Sequence, residues 1–278
     1  MLATKGIYHY RLLHPPFACE PILVSHYVAT VALLTLFEAW RARLVFTVAF
    51  VLAVGCGLTV LLGQTAITET REIQVVLAAA FFRFAAVLTI SIFVIVSQAR
   101  ESADKGLELL LSLPMSRAPY LLGKLAGYVT TAWLCALIFS LPLLFFGHPG
   151  SVAVWGLSLG LELTLVAAAS LFCAMTLSQP PGALAAVVGF YLLSRSMAAF
   201  QLMGTSSLLD EGLFHRATNF VLDGIATVLP RLDLFTQSAW LADMAGKFAL
   251  LPSLTLQTAV YAALLIGGAL FDLYRKDF

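Results

Sequence analysis

Three charges stand inside long apolar runs of this sequence: Arg83 in AAAFFRFAAVLTI, Glu162 in GLSLGLELTLVAAAS and Arg195 in GFYLLSRSMAAF. One arginine can neutralise the carboxylate while the other meets an anionic substrate group or a lipid phosphate. A structural ion pair with a snorkelling second arginine would use the same residues. A second concentration of charge lies in ESADKGLELLLSLPMSRAPYLLGK, residues 101–124, which with Arg100 gathers Glu101, Asp104, Lys105, Glu108, Arg117 and Lys124 between two runs almost free of charge. Such a patch offers a wet, reversible interface to a partner; on periodicity alone, a solvated loop face is the plainer explanation.

The elements that must position these groups follow from composition. The 278 residues are 60% hydrophobic and 11% charged, whereas soluble globular chains carry about 25% charged residues. A polytopic membrane protein is expected. The formal net charge of +1 supplies no basic face for nucleic acid. Six stretches reach the roughly 20 apolar residues that a spanning helix needs: Leu44 to Leu62, Val75 to Ser97, Leu125 to Phe146, Val152 to Leu177, Ala183 to Met203 and Ser253 to Phe271. Lipid offers no partner to exposed backbone, so the expected fold is all-α. Arg83, Glu162 and Arg195 then fall in the outer half of their spans.

Orientation follows from the lysines and arginines at the span ends. With the N-terminus cytoplasmic, that side holds Lys5, Arg11, Arg41, Arg43, Arg100, Lys105, Arg117, Lys124, Arg275 and Lys276, against Arg71, Arg216, Arg231 and Lys247 outside. Both termini are expected in the cytoplasm. The first twenty residues lack an apolar core and contain Pro15-Pro16, so no cleavable signal peptide is expected and the early spans would act as the targeting signal. Residues 1–43 read as a cytoplasmic tail and an interfacial amphipathic helix, with Trp40 at headgroup depth and Arg41 and Arg43 toward phosphate. Residues 44–278 read as the transmembrane domain. Its cytoplasmic loop is 98–124, and its outer amphipathic segment is 204–252, with Trp240 as an interface anchor.

Within the loop, Glu101, Asp104, Lys105 and Glu108 recur at helical spacing opposite Ala103, Leu107, Leu110 and Leu111, which predicts an amphipathic helix. Pro114 should end it. No catalytic residue is expected: Ser170, Ser194 and Ser196 lie in spans, but no histidine does, and no GxSG occurs. No metal site is expected either, since Cys19, Cys56, Cys135 and Cys173 have no CxxC spacing and the histidines are scattered.

The loop, written out as ESADKGLELLLSLPMSRAPYLLGKLAGY, resembles the connection between spans two and three in membrane subunits of type-2 ABC exporters. The matching positions are Glu101, Gly106, Glu108, Leu110, Pro114, Ser116, Arg117, Gly123 and Lys124. Leu107 departs from a small hydroxyl residue common there. The resemblance extends to the interfacial helix, the number of spans and the long outer segment. It implies that Glu101, Asp104, Lys105, Gly106, Glu108, Pro114 and Arg117 form a coupling helix seated on a cytosolic ATPase. No GxxxxGK[ST] is present here, so ATP and Mg would bind that separate subunit and this chain would carry no cofactor. It implies also a second permease copy, lipid as surroundings, a bacterial inner membrane and outward transport. A non-transporting assembly factor that recruits a cytosolic partner through the same loop is the alternative.

Overall fold

A computed structural model of the chain describes residues 21–65, 70–103, 117–177, 179–204, 224, 229–241 and 247–275. Among these every regular element is helical. They are α1 (Pro21–Arg41), α2 (Leu44–Thr65), α3 (Thr70–Ala103), α4 (Arg117–Ser140), α5 (Pro149–Thr176), α6 (Pro180–Gly204) and α7 (Leu251–Arg275), with short 3-10 turns at Pro142–Phe145, Leu232–Leu234, Ser238–Leu241 and Lys247–Leu250. Six helices, α2 to α7, are long and apolar enough to cross a membrane. The chain is an all-helical integral membrane protein.

Helix α5 is the central post, lying against α3, α4, α6 and α7. Its stretch GLSLG carries glycines four apart, and a Cβ on Gly160 would come within 2.7 Å of the Trp133 ring of α4. Small residues at such spacing let membrane helices approach closely. The outermost helices α2 and α7 turn large side chains outward, Phe46, Phe50, Leu256 and Phe271 among them, as lipid-facing surfaces do. Prolines set several starts without loss, because the first N–H groups of a helix have no intrahelical acceptor: Pro149 opens α5 and Pro180 opens α6.

Several expectations are corrected. Helix α3 runs on through Arg100 and Glu101 to Ala103, since no breaker interrupts SQARESA; the first turn of the expected loop helix is thus the end of a span. Helix α4 begins at Arg117, inside the expected loop, and stops at Ser140. There Pro142, lacking an N–H, turns the chain into a 3-10 segment instead of letting the helix continue to Phe146. Trp240 is buried in the bundle instead of anchoring at an interface, because the segment that carries it folds inward. Asp104, Lys105, Gly106, Glu108 and Pro114, with the rest of 104–116, lie outside the described residues, as does the side chain of Arg117.

Candidate functional site

Helices α3, α5 and α6 converge on residues 230–241, an irregular strap with two short 3-10 turns that inserts among them. Leu232, Phe235 and Thr236 of the strap are fully buried. Arg83 lies nine residues into the apolar span Gln74–Ala103, about 14 Å from its start. Irregular backbone at such depth is tolerated only when its polar groups find partners within the protein, and the three intramembrane charges contribute those partners. Arg83 Nη1 donates to the carbonyl of Thr236 at 2.8 Å. Arg195 Nη1 donates to the carbonyls of Leu232 at 2.7 Å and Phe235 at 2.8 Å. A guanidinium has five donors and no acceptor, which suits it to a cluster of backbone oxygens.

Glu162, fully buried, holds the centre. Arg195 Nη1 lies 3.6 Å from its Oε1, the Tyr191 hydroxyl donates to Oε1 at 2.9 Å and the Thr236 hydroxyl donates to Oε2. Removing a carboxylate from water costs several kcal/mol, and only a full set of donors offsets that. Helical spacing supplies it: Tyr191 and Arg195 are four apart on α6, and Ser158 and Glu162 four apart on α5, so each pair shares a face. Ser158 Oγ accepts the Thr236 N–H at 3.0 Å. Thr236 has a φ of 41°, left-handed backbone that a β-branched residue adopts at a cost of about 1–2 kcal/mol. Its N–H and hydroxyl are bound by Ser158 and Glu162 of α5 and its carbonyl by Arg83 of α3, and together they hold it there.

The geometry brings Arg83, Glu162 and Arg195 together around the strap. In this conformation both arginines face strap carbonyls, and Arg83 Nε is buried without an acceptor among the described residues. The sequence reading missed Tyr191, Ser158 and Thr236. The first two could have been found from their four-residue spacing to Arg195 and Glu162; Thr236, in a loop, gave no signal.

At the opposite end of the bundle a second polar cluster ties α1, α3 and α4 together. Lys124 Nζ lies 2.7 Å from Glu101 Oε2 and 3.5 Å from Glu38 Oε2. Ser97 donates to Glu38 Oε1 at 2.7 Å and shares a hydrogen bond of 2.9 Å with the Tyr128 hydroxyl. The lysine also stands 5.9 Å from the centre of the Tyr128 ring, within cation–π range. What brings α1 in is the pair Gly123 and Gly127 on α4: a Cβ on either would lie 2.8 Å from Val31 Cβ or 2.6 Å from Thr35 Cβ. Val31, Thr35 and Ala39 are buried on this side while Leu33, Leu34, Phe37 and Trp40 stay exposed on the other. Glu101, expected on an outward acidic face, has its carboxylate on Lys124, with its side chain 18% exposed. Beside it, burial and the Glu101 charge push the Tyr27 phenol above its ordinary pKa.

Among the described residues no three histidine, cysteine, aspartate or glutamate side chains stand together as metal ligands would. No protein-family model matches the chain, and no curated protein matches it.

Proposed function

We propose that this chain is the permease subunit of an ATP-driven exporter of the type-2 ABC kind, coupled to a separate cytosolic ATPase that binds ATP and Mg. The observation that supports this best is the Lys124 cluster. The segment 104–116 leaves α3 two residues after Glu101 and enters α4 at Arg117, two turns before Lys124. The Glu101–Lys124 ion pair therefore clamps the two helices at the root of that segment, and Glu38 extends the clamp to α1. A force applied to the loop by a docked partner would pass to three helices at once. The coupling face would consist of Asp104, Lys105, Gly106, Glu108, Pro114 and Arg117, with Glu101 as its root.

On this reading α1 lies at the cytoplasmic interface, both termini are cytoplasmic in a bacterial inner membrane, and two copies flank the path. The strap at 230–241 then closes the outer end of each bundle, and its release from Arg83 and Arg195 is the outward-opening step. One observation favours a non-transporting assembly factor instead: both arginines already donate to the chain's own backbone and Glu162 is already bound by side chains of the chain itself. Affinity purification of the full chain from its native membrane, with identification of stoichiometric partners and an ATPase assay, tests the proposal. A Walker-motif subunit that is lost on Glu108→Lys, with insertion intact, is the expected result. Recovery of intact membrane complexes with no ATPase among them would shift the assignment to the assembly factor.

A further inference from the structure

A groove of about 440 Å³ runs between α2 and α3, from Arg100 and Glu38 at one end to Ala85 at the other. That volume falls in the range of roughly 300–1,000 Å³ typical of small-ligand sites. From Arg100 to Ala85 the groove follows α3 for about 22 Å, more than one leaflet of a hydrocarbon core about 30 Å thick. Its walls are apolar, with Leu88, Ile92 and Val51 among them. A second hollow of about 310 Å³, bordered by Phe37 and Arg41, shares Glu38, Ala42 and Arg100 with the first, so the two form one channel with an apolar trough and a charged mouth.

Among the described residues the charge at the mouth is unbalanced. Glu38 and Glu101 face Lys124, and Ser97 donates to Glu38. Arg41 and Arg100, both exposed, have no carboxylate within ion-pair distance among the described residues. Among the described residues three cations therefore stand against two carboxylates, and the guanidiniums of Arg41 and Arg100 border a slot that leads into hydrocarbon. A soluble anion would satisfy the arginines but leave the trough empty; an uncharged lipid would do the reverse.

From these observations we infer that the channel is a seat for one anionic phospholipid, its phosphate between Arg41 and Arg100 and an acyl chain along the α2–α3 trough. The occupant bridges α1, α2 and α3 beside the Lys124 cluster. The seat stands independently of whether the chain transports anything.

Native mass spectrometry of the full chain in detergent micelles, titrated with dioleoyl phosphatidylglycerol or dioleoyl phosphatidylcholine, tests the assignment. The expected result is one phosphatidylglycerol retained per chain in preference to phosphatidylcholine. Arg41→Gln with Arg100→Gln should weaken that retention about thirty-fold, the effect of two arginines at an anionic surface, while Arg41→Lys with Arg100→Lys keeps most of it. Leu88→Trp, which fills the trough, should abolish retention with both arginines intact. Equal retention of the two lipids overturns the inference, as does wild-type retention by the Gln pair. Competition by millimolar inorganic phosphate would reduce the site to an anion site without a chain seat. A lipid-free dimer would assign the trough to a second copy.

Discussion

Arg195→Met is the sharpest perturbation of the strap. It removes the donor that two buried carbonyls share, at 2.7 and 2.8 Å, and the cation 3.6 Å from Glu162. An orphaned buried carbonyl costs about 1–3 kcal/mol, and a buried charge stripped of its partner about 3–5 kcal/mol. Two features lower the sum. The Arg195 side chain is 22% exposed, so water can reach part of the vacated space, and Glu162 keeps the hydroxyl donors of Tyr191 and Thr236. A net loss of about 3 kcal/mol remains, and it falls on the strap, whose opening should become about a hundred-fold more frequent. Hydrogen exchange followed by mass spectrometry on the full chain in micelles reads this directly. Peptides covering 229–241 contain the Thr236 N–H held by Ser158, and peptides from α1 serve as the unaffected reference. Adding Glu162→Gln removes the stranded charge and should restore roughly half of the protection, a coupling that unrelated sites would not show. Strap exchange within two-fold of wild type, in a variant that elutes and unfolds normally, would refute the assignment of Arg195 as the strap's anchor.

Lys124→Met leaves Glu38, 35% exposed, and Glu101, 18% exposed, facing each other. The expected loss is about 2 kcal/mol once solvent screening is allowed for, read as a lower unfolding midpoint and largely recovered by adding Glu101→Gln. Gly127→Leu forces a side chain where even a Cβ stands 2.6 Å from Thr35 Cβ; overpacking of about 1–3 kcal/mol should free α1, with faster hydrogen exchange in α1 and none in α5. Arg43 sits at φ 59° in the turn between α1 and α2. Arg43→Gly should therefore raise the thermal midpoint by about 2 °C, the equivalent of roughly 1 kcal/mol of relieved backbone strain.

Most of the helix layout could be read in advance, because crossing a membrane writes itself into the chain as long runs without charge. The exceptions share a cause. SQARESA looks like the start of a loop because it is polar, yet nothing in it breaks a helix, so α3 continues to Ala103. Trp240 looks like an interface residue because aromatic residues favour interfaces, but its position depends on where the strap goes. That in turn is decided by three residues more than 70 positions away or on other helices: Arg83, Glu162 and Arg195. The close approach of α1 at Gly123 and Gly127 was likewise not read from the sequence, because which helix packs on two glycines depends on residues far away in the chain.

By itself, then, the sequence determined the solvent this protein lives in, the number of its spans and the positions where charge enters the apolar layer. Composition and hydropathy are local properties, and burial of backbone in lipid leaves helices as the answer. Tertiary structure alone decided what those charges meet. Whether a buried guanidinium faces an open path, a carboxylate or the backbone of a distant strap depends on which helices approach, and that is settled by side-chain contacts between residues far apart in the chain. The same holds for Glu101: its spacing placed it on an acidic face, and the approach of α4 turned it to Lys124.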